Sequence, residues 1–453
     1  MKKTFTIIRF AMLCIVLAAI PSLTSCKKEV SDTTGLLSTV PSSASAVVGL
    51  NIRTMLEKAG CKVDGADITP GEVVEGWLAR KANSTASENE AMRLVLSGES
   101  GIDPVGAIFF VDAYNSYLTA MLADTGKFQE FVEKQSGQKF TEADGVKTCG
   151  NVAMSGAQMW VCLSSQATID PKAVKNYSAL DESQSFMSNP YSADIAGMTD
   201  DIVGLVQTGL ISSGRSGSFI GAAKTNMALG LLFEDASAFA MKCNFLKGKM
   251  ELRAEVFNSK GETAKFLLPT SKIDTDLVKS LGSQAEAVMA LSISKDLMKK
   301  IDQAGSSLGG NMFGAFIKMF GSIDGTVAAA VSDLDNFSDG LSGAVTTDGN
   351  PSNDLMQLLS QFGATRKDGK VVRITNGTPK GSLEMSKAAD YFKGAMIGIM
   401  INADASDLGG PKEGLRTLAF SLAPEGKGIT ARVDIEGTDP AENMLVTLIK
   451  NNK

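Results

Sequence analysis

The 453-residue chain contains no histidine. That absence excludes Ser-His-Asp and Cys-His catalysis, histidine-ligated zinc and imidazole proton transfer together. Aromatic residues make up only 6%, with Trp77 and Trp160 the sole tryptophans, too few for an extended sugar-stacking platform. The six cysteines include no Cys-x-x-Cys pair, so neither a redox motif nor a zinc motif is indicated. There is no run of basic residues and the net charge is −6, which argues against nucleic acid as a partner, because phosphate binding needs clustered Lys and Arg. Fifty acidic residues are present, but their spacing sorts none into an acid/base pair. We therefore expect no catalytic residue, no metal and no cofactor, and read the chain as a non-enzyme.

The N-terminus is the most informative segment. Lys2, Lys3 and Arg9 form a basic stretch, followed by a ten-residue apolar run from Ala11 to Ile20. A bilayer-spanning helix needs roughly 20 apolar residues, so this run has the length of a signal-peptide core instead. Leu23-Thr24-Ser25-Cys26 then resembles the lipobox of bacterial lipoproteins. The resemblance implies a signal peptide over 1–25 and Cys26 as the lipid-attachment residue. Its thiol would carry a diacylglyceryl group with palmitate-class acyl chains, enough for stable membrane anchoring. Lys27 and Lys28 follow and no Asp stands at the second position, which favours the outer membrane and leaves its periplasmic and surface faces open. Residues 1–25 hold three basic and no acidic side chains, so the chain from Cys26 carries −9 rather than −6.

The rest of the chain repeats itself. At an offset of 241, Ser42/Ser283, Ala44/Ala285, Ala46/Ala287, Val47/Val288, Leu50/Leu291, Ile52/Ile293, Leu56/Leu297 and Lys58/Lys299 are identical, eight of seventeen positions. The order of features downstream repeats too. Apolar strands are expected at 105–111 and 326–331. Helices follow at 126–135, capped by Asp124, and at 351–362, capped by Asn350 with Pro351 in the first turn. Asp144-Gly145 and Asp368-Gly369 mark turns, and Gly-Lys hairpins close each half at 245–257 and 422–435. Strands mixed with helices and hairpin turns predict an α+β fold of mostly antiparallel sheet with packed helices, built as two related modules by internal duplication. The expected organisation is signal peptide 1–25, lipidated tether 26–39, first module 40–265 and second module 266–453.

Val40-Pro41-Ser42-Ser43-Ala44-Ser45-Ala46-Val47, a Pro-x-x-Ala strand opening, and the later Asn244-Phe245-Leu246-Lys247-Gly248-Lys249 hairpin resemble a family of Bacteroidetes lipoproteins carrying only a domain of unknown function. The resemblance spans most of 22–265 and, more faintly, the second half. It implies a fold and a location and carries over no catalytic residue.

Cys149 and Cys162 are candidates for a disulfide. A Ser155-Gly156 turn would set Met154 opposite Ala157 and the two cysteines across from each other; the alternative is two small buried apolar residues. Asp32-Thr33-Thr34 is similar to a short O-glycosylation acceptor, with Thr33 the acceptor. Gly209 to Ser216 misses the phosphate-loop pattern, because Arg215 stands where lysine is needed, and reads as a Gly/Ser-rich loop. Asp333, Asp335 and Asp339 crowd one turn, but Phe337 stands where a calcium loop needs oxygen; Asp404 and Asp407 read the same way. The 21 methionines, Met121, Met154, Met159, Met312 and Met319 among them, suggest an adaptable apolar interior or a lining for a hydrophobic ligand, as does the glycine-rich segment 307–321. The expected function is a membrane-anchored, non-enzymatic binding or scaffold protein with an envelope protein as partner; the alternative is a carrier of a hydrophobic small molecule.

Overall fold

Two units make up the chain: residues 1–230 with 235–262 and 437–453, and residues 231–234 with 263–436. The structure is a computed structural model that describes residues 34–80, 93–112, 115–164, 168–197, 200–207, 232–307, 319–333, 340–403 and 414–451. Cys26, Thr33, the 209–216 loop and most of the 333–339 and 307–321 segments lie outside the described residues.

In the first unit, β-branched and aromatic runs form β1 (Ala46–Leu50), β2 (Ile102–Asp112), β3 (Asn115–Leu122), β4 (Thr141–Ala143), β5 (Val146–Cys149), β6 (Val152–Ser155), β7 (Gln158–Cys162), β8 (Ile202–Gln207), β9 (Ala238–Leu246) and β10 (Lys249–Phe257). They pair antiparallel in the order β10–β9–β8–β1–β2–β3–β7–β6–β5–β4. The helices are α1 (Thr34–Leu37), α2 (Ile52–Lys58), α3 (Glu72–Arg80), α4 (Thr125–Ser136), α5 (Pro171–Ser178) and α6 (Ser192–Ala196). Asn51 lets α2 begin directly after β1, because its side chain accepts from Thr54 N. Asp124 caps α4 through Lys127 N, as expected, and Gly137 ends it at φ 66°. One face of the sheet is sealed: Val47, Ile108, Phe110, Tyr117, Trp160 and Leu205 pack on Leu36, Leu37, Val174 and Ile195 of α1, α5 and α6. On the other face α4 covers Leu118, Ala120, Met159 and Val161 with Phe128, Phe131 and Val132. Farther along that face, Cys243 and Phe245 meet Met55, Trp77 and Leu78 together with Leu445 and Ile449 of the C-terminal helix Met444–Asn451.

The second unit contains β11 (Ala287–Ile293), β12 (Ile323–Val331), β13 (Leu341–Thr347), β14 (Ala364–Asp368), β15 (Val371–Asn376), β16 (Ile397–Asn402), β17 (Leu415–Glu425) and β18 (Gly428–Gly437). Pairing is again antiparallel, in the order β17–β16–β11–β12–β13–β15–β14. Its helices are α7 (Thr275–Lys279), α8 (Lys295–Ser307), α9 (Asn353–Ser360) and α10 (Met385–Tyr391). The sealed face carries Val288, Ala290, Ala328, Ala330, Ala344, Met400 and Ala419 under Leu277, Val278, Ala388, Ala389 and Phe392. Helix and sheet are close here: a Cβ on Gly398 would stand 2.3 Å from the Phe392 ring. On the opposite face Leu355 and Leu359 of α9 cover Val345, Val372 and Ile374.

The mixed α+β fold with antiparallel sheets holds. β11 holds the same place in its ladder as β1, with β16 and β12 at its sides as β8 and β2 flank β1. Three details differ from expectation. The expected second module, 266–453, loses its tail: residues 437–453 belong to the first unit, because Met444, Leu445 and Ile449 bury their apolar side chains there. α9 is capped by Ser352, whose side chain accepts from Leu355 N, while Asn350 N donates to Asp348. The hairpin of the expected disulfide turns at Gly156-Ala157, where Gly156 supplies φ 58°, so Met154 pairs with Met159 instead of Ala157.

Candidate functional site

The register change separates the two cysteines. Gly150, at φ 64°, reverses the chain before β6, so Cys149 on β5 pairs with Val152 on β6 and sits two strands away from Cys162 on β7. Cys149 lies in the cluster under α4 and Cys162 in the sealed aromatic core, on opposite faces of the sheet. Both are buried free thiols, and the expected disulfide is corrected to two small apolar residues.

The strongest polar constellation was not apparent in the sequence. Lys58, the last residue of α2, places Nζ 3.0 and 3.3 Å from the two carboxylate oxygens of Asp201, just before β8. Asp201 also accepts from Phe245 N at 2.8 Å, and its own backbone receives Asn51 N and donates to Cys243 O. Its side chain is 3% exposed. Burial outweighs the attraction of Lys58 and pushes the Asp201 carboxyl up to about 6. The same burial lowers Lys58 and pushes the Cys243 thiol up to about 12, so the thiol stays protonated and weakly nucleophilic at neutral pH. The arrangement ties the β1–α2 corner to β8 and β9. Its partners are 143 residues apart, and nothing short-range in the sequence pairs them.

The feature with a binding character lies on the sheet faces opposite the sealed ones. Cross-strand pairs point to the same side, so the registers define each face. In the second unit Met289 stands beside Ala329 and Ile399, Ile399 beside Phe420, and Leu291 beside Val327 and Ile397, which meets Leu422. Met289 is 49% exposed, and its neighbours are half-buried. None of these eight positions is charged. In the first unit Met241 stands beside Gly204 and Ala254, and Gly204 beside Val48, which pairs with Phe109. A Cβ on Gly204 would meet the Val48 side chain at 3.7 Å, so Val48 leans over the glycine. Met241 is 51% exposed. A sheet face in water normally alternates polar against buried apolar residues. In the second unit β11 and β16 are apolar at nearly every position of both parities, the pattern of strands covered on both sides, yet Met289 stands half in solvent, as Met241 does in the first unit.

Met121 is 38% exposed, whereas Met154 and Met159 fill core positions and Met319 supplies a backbone acceptor to Ser352; Met312 lies outside the described residues. Among the described residues no group of His, Cys, Asp or Glu is arranged to hold a metal ion. Nor is any described helix long and apolar enough to cross a membrane.

No family model matches the chain, and no curated protein matches it. Among solved structures, crystal form I of TP0453 overlaps 80% of this chain and 97% of that one at a TM-score of 0.28 and 7% identity. Form IV overlaps 48% and 79% at 0.27 and 11%, and form III overlaps 78% and 96% at 0.26 and 9%. Overlaps this loose leave the chain to be understood from its own geometry.

Proposed function

We propose that this chain is a lipid-anchored binding protein of the outer membrane, held by acyl chains on Cys26, which uses the methionine face of each sheet to hold an apolar surface of another envelope protein. A single observation carries the reading: both faces are apolar, free of charge at the centre, and only half buried. Charge depletion with enriched methionine and aromatic side chains is the composition of a protein-interface core. Methionine also adapts its shape to a partner at little cost. The similar strand orders of the two units support an internal duplication, which would supply two such faces on one tether. Glycosylation at Thr33 would fall in the tether, seven residues after Cys26 in the sequence. The buried Lys58–Asp201 pair acts in this reading as a clamp, with no part in catalysis.

A second reading, a carrier of a hydrophobic small molecule, rests on the same faces and differs in occupant. Native mass spectrometry of the mature chain, extracted gently from its own envelope, separates the two. We expect a stoichiometric protein companion that is lost in the Met289→Glu variant. A reproducible small apolar mass instead would establish the carrier. A companion retained in both Met289→Glu and Met241→Glu would remove these faces from the account.

A further inference from the structure

The second unit ends its sheet on a basic edge. β14 pairs with β15 on one side, and no strand pairs with its other side among the described residues. The hairpin that contains it reads 364-ATRKDGKVVRITN-376, four basic residues against one acidic in a chain whose net charge is −6. Arg366 and Lys367 are exposed and Arg373 is half-buried, and none of the three is in an ion pair among the described residues. Lys367 Nζ donates to Gly349 O at 2.6 Å, and Arg373 donates to Ser280 Oγ at 2.9 Å, so both side chains are positioned without being neutralised.

The backbone geometry is equally defined. Asp368 and Val371 close a two-residue loop in which Gly369 adopts φ 59°. The pair that closes such a loop is hydrogen-bonded, and bonded and non-bonded pairs alternate along the ladder. Arg366–Arg373 and Ala364–Thr375 are then the bonded pairs. Thr365 and Lys367 therefore turn their N–H and C=O groups away from β15, off the edge of the sheet. At the start of the strand, Phe362 is 48% exposed. Its position is fixed by Gly363, where a Cβ would stand 2.5 Å from Thr375 O; only a bare glycine lets the chain come this close. The edge thus offers unpaired backbone groups, uncompensated positive charge and one apolar anchor in a single row.

We propose that β14 is a strand-addition site for an extended acidic segment of another protein, which pairs with Thr365 and Lys367 through its backbone, sets carboxylates against Arg366, Lys367 and Arg373, and places an apolar side chain on Phe362. Basic residues on an edge strand also discourage self-pairing of identical edges. That property makes an acidic partner, rather than a second copy of this chain, the complementary occupant. The proposal is independent of the methionine faces: it names a different surface, different residues and a charged partner.

The test uses the full mature chain and a fluorescein-labelled synthetic peptide of alternating Glu and Val with one Phe, alongside its counterpart with Lys in place of Glu. Fluorescence anisotropy should show the acidic peptide binding at least tenfold more tightly than the basic one. Thr365→Pro should weaken binding at least tenfold, because it removes an outward donor while leaving the β14–β15 bonds intact. Thr365→Val, which keeps the N–H, should bind as the natural chain does. Arg366→Glu provides a second variant that spares the backbone, and should reverse the preference between the two peptides. Hydrogen exchange should slow at 362–368 on adding the acidic peptide. Equal binding of the two peptides, undiminished binding by Thr365→Pro with unchanged preference in Arg366→Glu, or no slowing at 362–368 would each overturn the proposal. So would a dimer of the chain that dissociates in Arg366→Glu.

Discussion

The sealed faces of the two units solve the same packing problem with opposite materials. In the first unit the core under α1, α5 and α6 is aromatic: Phe110 stacks on Tyr117 with ring centroids 5.2 Å apart, and Trp160 stacks on Tyr177 at 5.8 Å. Tyr177 donates to Asp112 at 2.8 Å, and burial together with that carboxylate holds its phenol far above its ordinary titration range. In the second unit the corresponding layer is alanine: Ala290, Ala328, Ala330, Ala344, Ala388, Ala389, Ala395 and Ala419. Large rings hold helices away from a sheet, and alanines let them settle close to it. The interiors have diverged this far, yet each sheet still presents an apolar methionine face on its other side. A feature shared where the packing differs is better explained by use than by folding alone.

The comparison can be broken from either side. Truncation should hurt the aromatic unit most. Phe110→Ala removes a fully buried ring and should cost about 3–5 kcal/mol in urea denaturation. Next comes the clamp. The Asp201 carboxyl is held near 6 in the folded chain against an ordinary 3.8. Its folded value is the higher one, so its stabilising contribution is fully present below about pH 4 and is lost as pH rises through about 6. A shift of about two units corresponds to about 3 kcal/mol. The stability of the natural chain relative to Asp201→Asn should therefore move in favour of the natural chain by about that amount between pH 7 and pH 4. A difference that stays constant with pH would contradict the buried clamp.

The alanine unit should respond to insertion instead. Ala330→Leu, at a position with no exposed surface, should destabilise by about 1–3 kcal/mol through overpacking. The methionine faces should respond least. Met289→Gln should change stability by no more than about 0.5 kcal/mol, since half of the side chain is already in water. It should nevertheless weaken retention of the companion seen by native mass spectrometry. If Met289→Gln instead destabilises as much as Ala330→Leu does, the face belongs to the core and the binding reading fails.

Local signals were legible in the sequence, and long-range ones were not. Asp124 and its helix, the Asp144-Gly145 turn with φ 56° and 78°, and the strand–helix openings at Ala46 and Ala287 all depend on neighbouring residues, and they appear where the sequence places them. The β6–β7 register turned on whether Ser155 or Ala157 joins Gly156 in the loop, a choice that cross-strand packing makes and local spacing does not. The return of Met444–Asn451 to the first unit and the pairing of Lys58 with Asp201 span hundreds of residues or well over a hundred, beyond any periodic pattern. The methionine faces did leave a trace. AVMALSI in β11 and IGIMIN in β16 are apolar at nearly every position of both parities, which signals two buried faces, whereas in the fold Met289 on one of them is half exposed.

Methionine oxidation footprinting tests the central claim most directly. In the purified mature chain, Met241 and Met289 should oxidise readily while Met159 and Met400, each 1% exposed, stay protected. In intact envelopes the account predicts that Met241 and Met289 become protected as well, because a partner covers them. Equal oxidation of both residues in the envelope and in the purified chain would contradict it.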